Sequence, residues 1–123
     1  MTAHAGAAAR LEHILDAIRH VETFTSGRTL DDYLRDPMLR FAVERGIEIV
    51  SEASRHIPKT LKDRHGHLPW REIAAIGNVL RHDYERVDDR ELWKGVSRHF
   101  PLLKDTVESM LREVGAGDAG KDG

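Results

Sequence analysis

One short segment, Gly77–Tyr84, brings together more chemically active side chains than any other part of this sequence. From Asn78 onward it carries an amide, a guanidinium, an imidazole, a carboxylate and a phenol within about two helical turns. A helix that only packs against its neighbours does not need so many different polar groups. Cationic side chains hold a phosphate, and a histidine moves protons near neutral pH. The segment therefore indicates chemistry on phosphates.

The helical spacing decides which of these groups can act together. On an ideal helix Asn78, Arg81, His82 and Glu85 share one face, because residues three and four positions apart are neighbours. Tyr84 points elsewhere, so it joins this face only if the helix loosens after His82 or if a second subunit supplies one of the groups. The competing interpretation is a solvated helix face, with Arg81 paired to Glu85 for about 0.3–0.5 kcal/mol. On the residues alone the solvated face is favoured.

The composition restricts the kinds of protein this chain can be. Its 123 residues suffice for one domain, and 40% hydrophobic with 33% charged residues is typical of a soluble globular protein. No apolar run approaches the ~20 residues that a membrane span needs, and Met1–Ala9 lacks an apolar signal core. With no cysteine, disulfides and thiolate metal sites are excluded, and a cytoplasmic location is expected. The net charge of −2 provides no general attraction to nucleic acid, so any RNA contact needs a local basic patch.

The apolar residues recur at helical spacing almost throughout, which predicts an all-α protein. Short loops between the helices favour an antiparallel bundle of four main helices plus short helical turns. The predicted helices are Ala7–Phe24, a turn at Thr29–Leu34 with Thr29 as its N-cap, Pro37–His56 with Asp36 as its N-cap, Pro69–Tyr84 and Arg90–Val114. Pro101 predicts a kink near Ser97–Phe100, because proline removes a helical hydrogen bond. Residues 1–115 are expected to form the single domain, and residues 116–123 a flexible tail.

A second possible site lies in the loop after the third of these helices. His65 and His67 flank Gly66, and Asp63 is the nearest further ligand. Two histidines without a clear third ligand make a weak metal site, so no metal is expected there. The sequence also has no glycine-rich phosphate-binding loop. No cofactor is predicted.

The stretch Trp70–Val87 resembles the signature helix of the HepT-like family, small all-helical proteins of the HEPN superfamily. The most specific match is His82-Asp83-Tyr84, which fits the family's His-x-Tyr pattern in a helical context. Supporting matches lie in Arg40–Glu44 and in Ser51–Ser54, and the resemblance extends over roughly residues 11–114. The chain is thus identified as a member of the family from nearly its whole length.

The resemblance implies a bacterial toxin–antitoxin pair, in which the toxin is encoded beside a minimal nucleotidyltransferase antitoxin. Family members form homodimers or larger assemblies, and the active ones cut RNA without a metal at a cleft between subunits. An arginine and a histidine perform the cleavage, and the antitoxin silences the toxin by transferring adenylate to the tyrosine of His-x-Tyr. By this resemblance His82 is the general acid and base, and Tyr84 is the residue that is modified.

One departure from the family concerns the arginine. Ala75, Ile76 and Gly77 occupy the positions where the family carries it, whereas Asn78 matches the asparagine that often follows it. The nearest cation is Arg81, about 100° around the helix from His82, and we infer that it takes over the role. The expected reaction is attack of an RNA 2′-OH on the adjacent phosphorus, leaving a 2′,3′-cyclic phosphate. The alternatives are an inactive nucleotide- or RNA-binding partner of the nucleotidyltransferase, and an interaction protein whose cluster is structural.

Overall fold

Helices form the regular structure of the protein, a computed structural model that describes the backbone of residues 3–122 and the side chains of residues 6–115. In chain order they are α1 (Ala3–Thr25), α2 (Leu30–Arg35), α3 (Pro37–Ser54), α4 (Lys59–Asp63), α5 (Trp70–His82), a 3₁₀ turn (Tyr84–Arg86), α6 (Asp89–Lys94), a π-helical segment (Gly95–His99) and α7 (Phe100–Asp122). The described backbone contains no strand, which confirms the all-α prediction.

The four long stretches of helix pack as a bundle, as predicted. α1 lies against both α3 and α7, and α3 also lies against α5, which places α5 at the edge. The apolar stripes predicted for the central helices are buried, and they consist of Leu11, Ile14, Leu15, Ile18 and Val21 in α1, Leu39, Val43, Ile47, Val50 and Ala53 in α3, and Leu103, Val107, Met110 and Val114 in α7. In contrast, Ile73 and Ile76 of α5 are only partly buried. The edge helix therefore presents more of its surface than the others.

The starts of α2 and α3 follow from local capping chemistry. Thr29 Oγ1 accepts the backbone N–H of Asp32 at 3.1 Å, and Asp32 Oδ2 accepts that of Thr29 at 2.9 Å. The second of these bonds holds the pKa of Asp32 below its usual value. At the next start Asp36 Oδ1 accepts the N–H of Met38 at 3.0 Å, and Pro37 occupies the first helical position. Each cap stabilises its helix by about 1 kcal/mol, and both were predicted from sequence.

Near Pro101, where the sequence predicted a kink, the helix changes into the π-helical segment Gly95–His99. Proline has no N–H, so the carbonyl four residues before it loses its helical donor. The chain responds by widening the preceding turn, and the N–H of Phe100 bonds to the carbonyl of Gly95. The predicted single helix is therefore α6, the π-helical segment and α7.

The first and last helices are both longer than the sequence predicted. α1 begins at Ala3, and α7 extends past Val114 to Asp122. The tail predicted at residues 116–123 lies outside the residues whose side chains are described. Among the described residues, no helix combines the length and the apolar character that crossing a bilayer requires.

Candidate functional site

The end of α5 carries the predicted polar face. Asn78, Arg81 and His82 are all exposed there, and the Arg81 Nη2 donates a hydrogen bond to Asn78 Oδ1 at 2.7 Å. The pairing with Glu85, which the solvated-face interpretation required, is replaced by this bond. A neutral amide partner orients the guanidinium without cancelling its charge, and its other N–H groups stay available. The arrangement suits the binding of an anion beside His82.

The helix does loosen after His82, and this redirects Tyr84. Asp83 has φ −130° and ψ 45°, outside the helical region, and a 3₁₀ turn follows. The Tyr84 hydroxyl lies 3.5 Å from Oε2 of Glu44 on α3. In the described part of the chain no side-chain hydrogen bond connects His82 with Tyr84. The irregular helix end therefore turns the phenol toward α3, while Asn78 and Arg81 remain bonded to each other.

Glu44 and its surroundings were not among the predicted site residues. The Glu44 side chain is buried, and burial, followed by the charge of Asp89, raises the pKa of its carboxyl group. Burial and the nearby Glu44 also raise the pKa of Tyr84. No local pattern could have joined Glu44 to Tyr84, because 40 positions separate them. The one signal in the sequence that could have drawn attention to Glu44 was its position directly after Val43, a residue of the buried stripe of α3.

Gly77, where the family's arginine is missing, is a packing position. Its N–H donates to Ser51 Oγ of α3 at 3.0 Å, and that hydroxyl donates to the carbonyl of Ala74 at 3.0 Å. A Cβ at Gly77 would lie 2.7 Å from Ser51 Oγ and 3.0 Å from Ser51 Cβ. Ser51 is only 1% exposed, so it has no solvent space into which it can move. The close approach of α3 and α5 therefore requires glycine here.

Arg81 also borders a polar cavity of about 280 Å³ between α1, α3 and α5. Three arginines from three helices line it together with one histidine and two carboxylates, and these residues are Arg10, His13, Arg45, Glu48, Glu52 and Arg81. Glu48 accepts a hydrogen bond from Arg45 at 3.2 Å, and Glu52 pairs with His56 at 3.0 Å. The three arginines outnumber the two carboxylates, so the cavity lining carries a local excess of positive charge that could contact phosphates.

The loop histidines are engaged within the fold. His65 Nε2 lies 3.0 Å from Glu113 Oε1, and His67 Nε2 lies 3.3 Å from Thr106 Oγ1, both on α7. Over the residues that the structure describes, no group of three potential metal ligands occurs. The two histidines hold the loop to α7.

A helical bundle with no strand in its described backbone is consistent with the HEPN class. The chain belongs to the HepT-like family, because the family model described as "Ribonuclease HepT-like" matches residues 14–110. It is 43% identical over 102 residues to "Probable ribonuclease HepT" of Thermococcus cleftensis, covering 83% of this chain and 93% of that one. No solved structure matches.

Two further relatives support the same assignment. A candidate RNase of Caldanaerobacter subterraneus is 33% identical over 103 residues, which cover 84% of this chain and 92% of the relative. A candidate RNase of Methanocaldococcus jannaschii is 35% identical over 98 residues, which cover 80% and 90%. The names of all three relatives concern ribonucleases, so RNA is the substrate class to which the family points.

Proposed function

We propose that this protein is the toxin of a bacterial toxin–antitoxin pair and a metal-independent endoribonuclease. The observation that carries the proposal is the exposed end of α5, where a hydrogen bond from Arg81 to Asn78 orients a guanidinium next to His82 in the chain. The cavity on the other side of Arg81 adds Arg10 and Arg45, which supports contact with further phosphates of an RNA strand.

In the proposed reaction the 2′-OH of RNA attacks the adjacent phosphorus and the 5′-oxygen leaves. His82 transfers the proton, and Arg81 stabilises the charge that develops on the phosphoryl oxygens. Asn78 holds Arg81 in position through the 2.7 Å bond. The products are a 2′,3′-cyclic phosphate and a free 5′-hydroxyl. No resident metal is needed for these steps.

The test compares His82→Ala with His20→Ala, a matched change at an exposed histidine of α1. We expect His82→Ala to lower RNA cleavage by about 10²–10⁴-fold and to relieve growth inhibition. Both variants should unfold within about 0.5 kcal/mol of the wild type, because both side chains are exposed. Cleavage is measured by the appearance of cyclic-phosphate ends on a labelled RNA. Equal cleavage by His82→Ala and His20→Ala would refute the role of His82.

The homodimer is the second part of the proposal. Met38 and Phe41, three positions apart on α3, are 79% and 60% exposed, so this helix face offers apolar surface that a second copy could cover. A two-fold contact at this surface would bring two copies of the α5 end into one assembly. Size-exclusion chromatography with light scattering measures the oligomeric state.

Silencing by a cognate nucleotidyltransferase antitoxin is the third part. Tyr84 is 46% exposed, so a second protein can reach its side chain. Tyr33, the other tyrosine of the sequence, is fully buried. We expect co-expression with the neighbouring nucleotidyltransferase to add adenylate mass to the wild type but not to Tyr84→Phe. Added mass that persists in Tyr84→Phe would exclude Tyr84 as the acceptor.

The alternative function is an inactive RNA- or nucleotide-binding partner of the nucleotidyltransferase. The packing of Gly77 on Ser51 favours it, because α5 cannot carry the family's arginine at that position without disturbing α3. In this case the purified protein binds RNA through Arg81 but produces no cyclic-phosphate ends during long incubation. Arg81→Ala then weakens RNA binding, whereas Arg71→Ala, an exposed change on the same helix, does not.

A further inference from the structure

The contact between Tyr84 and Glu44 joins an exposed tyrosine to a buried carboxylate. Tyr84 lies on the 3₁₀ turn and is 46% exposed, whereas Glu44 on α3 is only 7% exposed. Their oxygens are 3.5 Å apart, a long hydrogen bond that a small movement of the exposed phenol would shorten. A carboxylate is rarely buried so deeply unless a partner compensates for its lost hydration. The exposed phenol is therefore backed by a proton acceptor inside the fold.

The groups around Glu44 come from four elements. Arg40 and Glu48 lie on α3, Tyr33 on α2, Tyr84 on the 3₁₀ turn and Asp89 on α6. The only cation among them is shared with other groups. Arg40 donates to the carbonyls of Leu34 at 2.5 Å and of Tyr33 at 3.3 Å, and its Nε lies 3.8 Å from Asp89. Burial and the negative charge of Asp89 therefore raise the pKa of Glu44, which makes its carboxylate a stronger proton acceptor.

We propose that Glu44 is the proton acceptor that activates the Tyr84 hydroxyl as a nucleophile for nucleotidyl transfer. This rests on the modification of Tyr84 under the proposed function. In the step, the phenolic oxygen bonds to the α-phosphorus of a nucleoside triphosphate supplied by the nucleotidyltransferase. The bond from that phosphorus to the pyrophosphate oxygen breaks, pyrophosphate leaves, and the phenolic proton moves to Glu44.

Charge explains why the proton goes to Glu44 during the step and not to solvent beforehand. A free phenolate beside an ionised Glu44 would place two negative charges about 3.5 Å apart in a partly buried setting. Accordingly, burial and Glu44 raise the pKa of Tyr84. Direct transfer of the proton to Glu44 as the new bond to phosphorus forms never places two negative charges on the pair. Tyr33, which faces the same cluster but is fully buried, cannot be reached by a second protein.

The first experiment uses the neighbouring nucleotidyltransferase with MgATP and follows adenylate addition by intact mass. The variants are Glu44→Gln, which keeps the size but cannot accept the proton, and Glu44→Asp, which keeps the charge but withdraws it by one methylene. Glu72→Gln, a change at an exposed carboxylate of α5 outside this cluster, is the control. We expect Glu44→Gln and Glu44→Asp to be slower by about 10²-fold, with Glu72→Gln unchanged. Wild-type rates in either Glu44 variant would overturn the proposal.

The second experiment needs no partner, so it separates this inference from the proposed function. N-acetylimidazole transfers an acetyl group to accessible phenols, and peptide mass spectrometry measures the rate at Tyr84. A base at Glu44 predicts slower acetylation of Tyr84 in Glu44→Gln than in the wild type. If Glu44 acts only through its charge, its removal lowers the pKa of Tyr84 and acetylation becomes faster. If Tyr84 in Glu44→Gln is acetylated as fast as in the wild type, or faster, the role of Glu44 is overturned even if the partner adenylates Tyr84. If the partner leaves the wild type unmodified, only the antitoxin proposal is refuted.

Discussion

Replacing Gly77 by arginine restores the residue type that the family carries near this position. The structure predicts that this change lowers the stability of the protein. The new Cβ would lie 2.7 Å from Ser51 Oγ, closer than real Cβ atoms approach an oxygen. Ser51 cannot turn away without losing its hydrogen bonds to Ala74 and Gly77. The helices α3 and α5 must then separate at their crossing.

The size of the effect follows from three contributions. Overpacking at a buried contact costs about 1–3 kcal/mol. The two hydrogen bonds of Ser51 contribute about 1 kcal/mol each, and both are strained when α5 moves outward. Arginine favours a helix over glycine by roughly 0.8 kcal/mol, which offsets a part of this. We expect Gly77→Arg to lower the free energy of unfolding by about 2–4 kcal/mol.

Urea unfolding followed by circular dichroism measures this change, with Ala75→Arg as the control. Ala75 is exposed on the same helix, so this variant adds an arginine without the contact to Ser51. RNA cleavage by both variants is measured in parallel, and Gly77→Arg is expected to cleave less than the wild type. A Gly77→Arg protein that is as stable as Ala75→Arg would refute the packing role of Gly77. Faster cleavage than the wild type would instead refute the expected loss of activity.

Three further variants test other parts of the fold. Burial raises the pKa of Glu44 in the folded state above its unfolded value, so its ionised form opposes folding. Glu44→Gln should therefore raise the melting temperature at pH 7. This gain should shrink as the pH falls through the raised pKa of Glu44, because the wild-type carboxyl group then becomes neutral. A gain that does not depend on pH would show that the charge of Glu44 is not its cause. Tyr33→Phe should stabilise the protein by about 1 kcal/mol in urea unfolding, because the buried Tyr33 hydroxyl has no hydrogen-bond partner among the described residues; destabilisation would indicate an unseen partner. Phe41→Glu should shift the assembly toward monomer in light scattering without changing the helical circular dichroism, whereas an unchanged mass would place the interface elsewhere.

The elements of this protein were largely predictable because their causes are local. The caps at Thr29 and Asp36 act within three residues, and the apolar spacing of α1 and α3 determines which side of each helix is buried. Pro101 similarly determined where the last helix is interrupted. The widening of that turn into a π-helical segment was not predicted, because the sequence does not specify how the chain compensates for a missing N–H.

The family resemblance was also readable from sequence, as it depends on a contiguous stretch around His82 and Tyr84. The bond from Arg81 to Asn78 connects residues three positions apart and replaced the expected pair with Glu85. Both partners were available at helical spacing, and only the side-chain geometry of the folded helix selects between them. The residues of the candidate site were thus predicted, whereas their pairing was not.

The sequence by itself determined the helices, their buried faces, their caps and the polar groups at the end of α5, since these depend on residues within a few positions of one another. Only the tertiary structure decided that Gly77 closes on Ser51, 26 positions away, and that Tyr84 meets Glu44, 40 positions away. Such contacts arise from how helices cross, and many distant side chains set that crossing together. For this reason the position that resembled a missing catalytic arginine is a packing contact between α3 and α5.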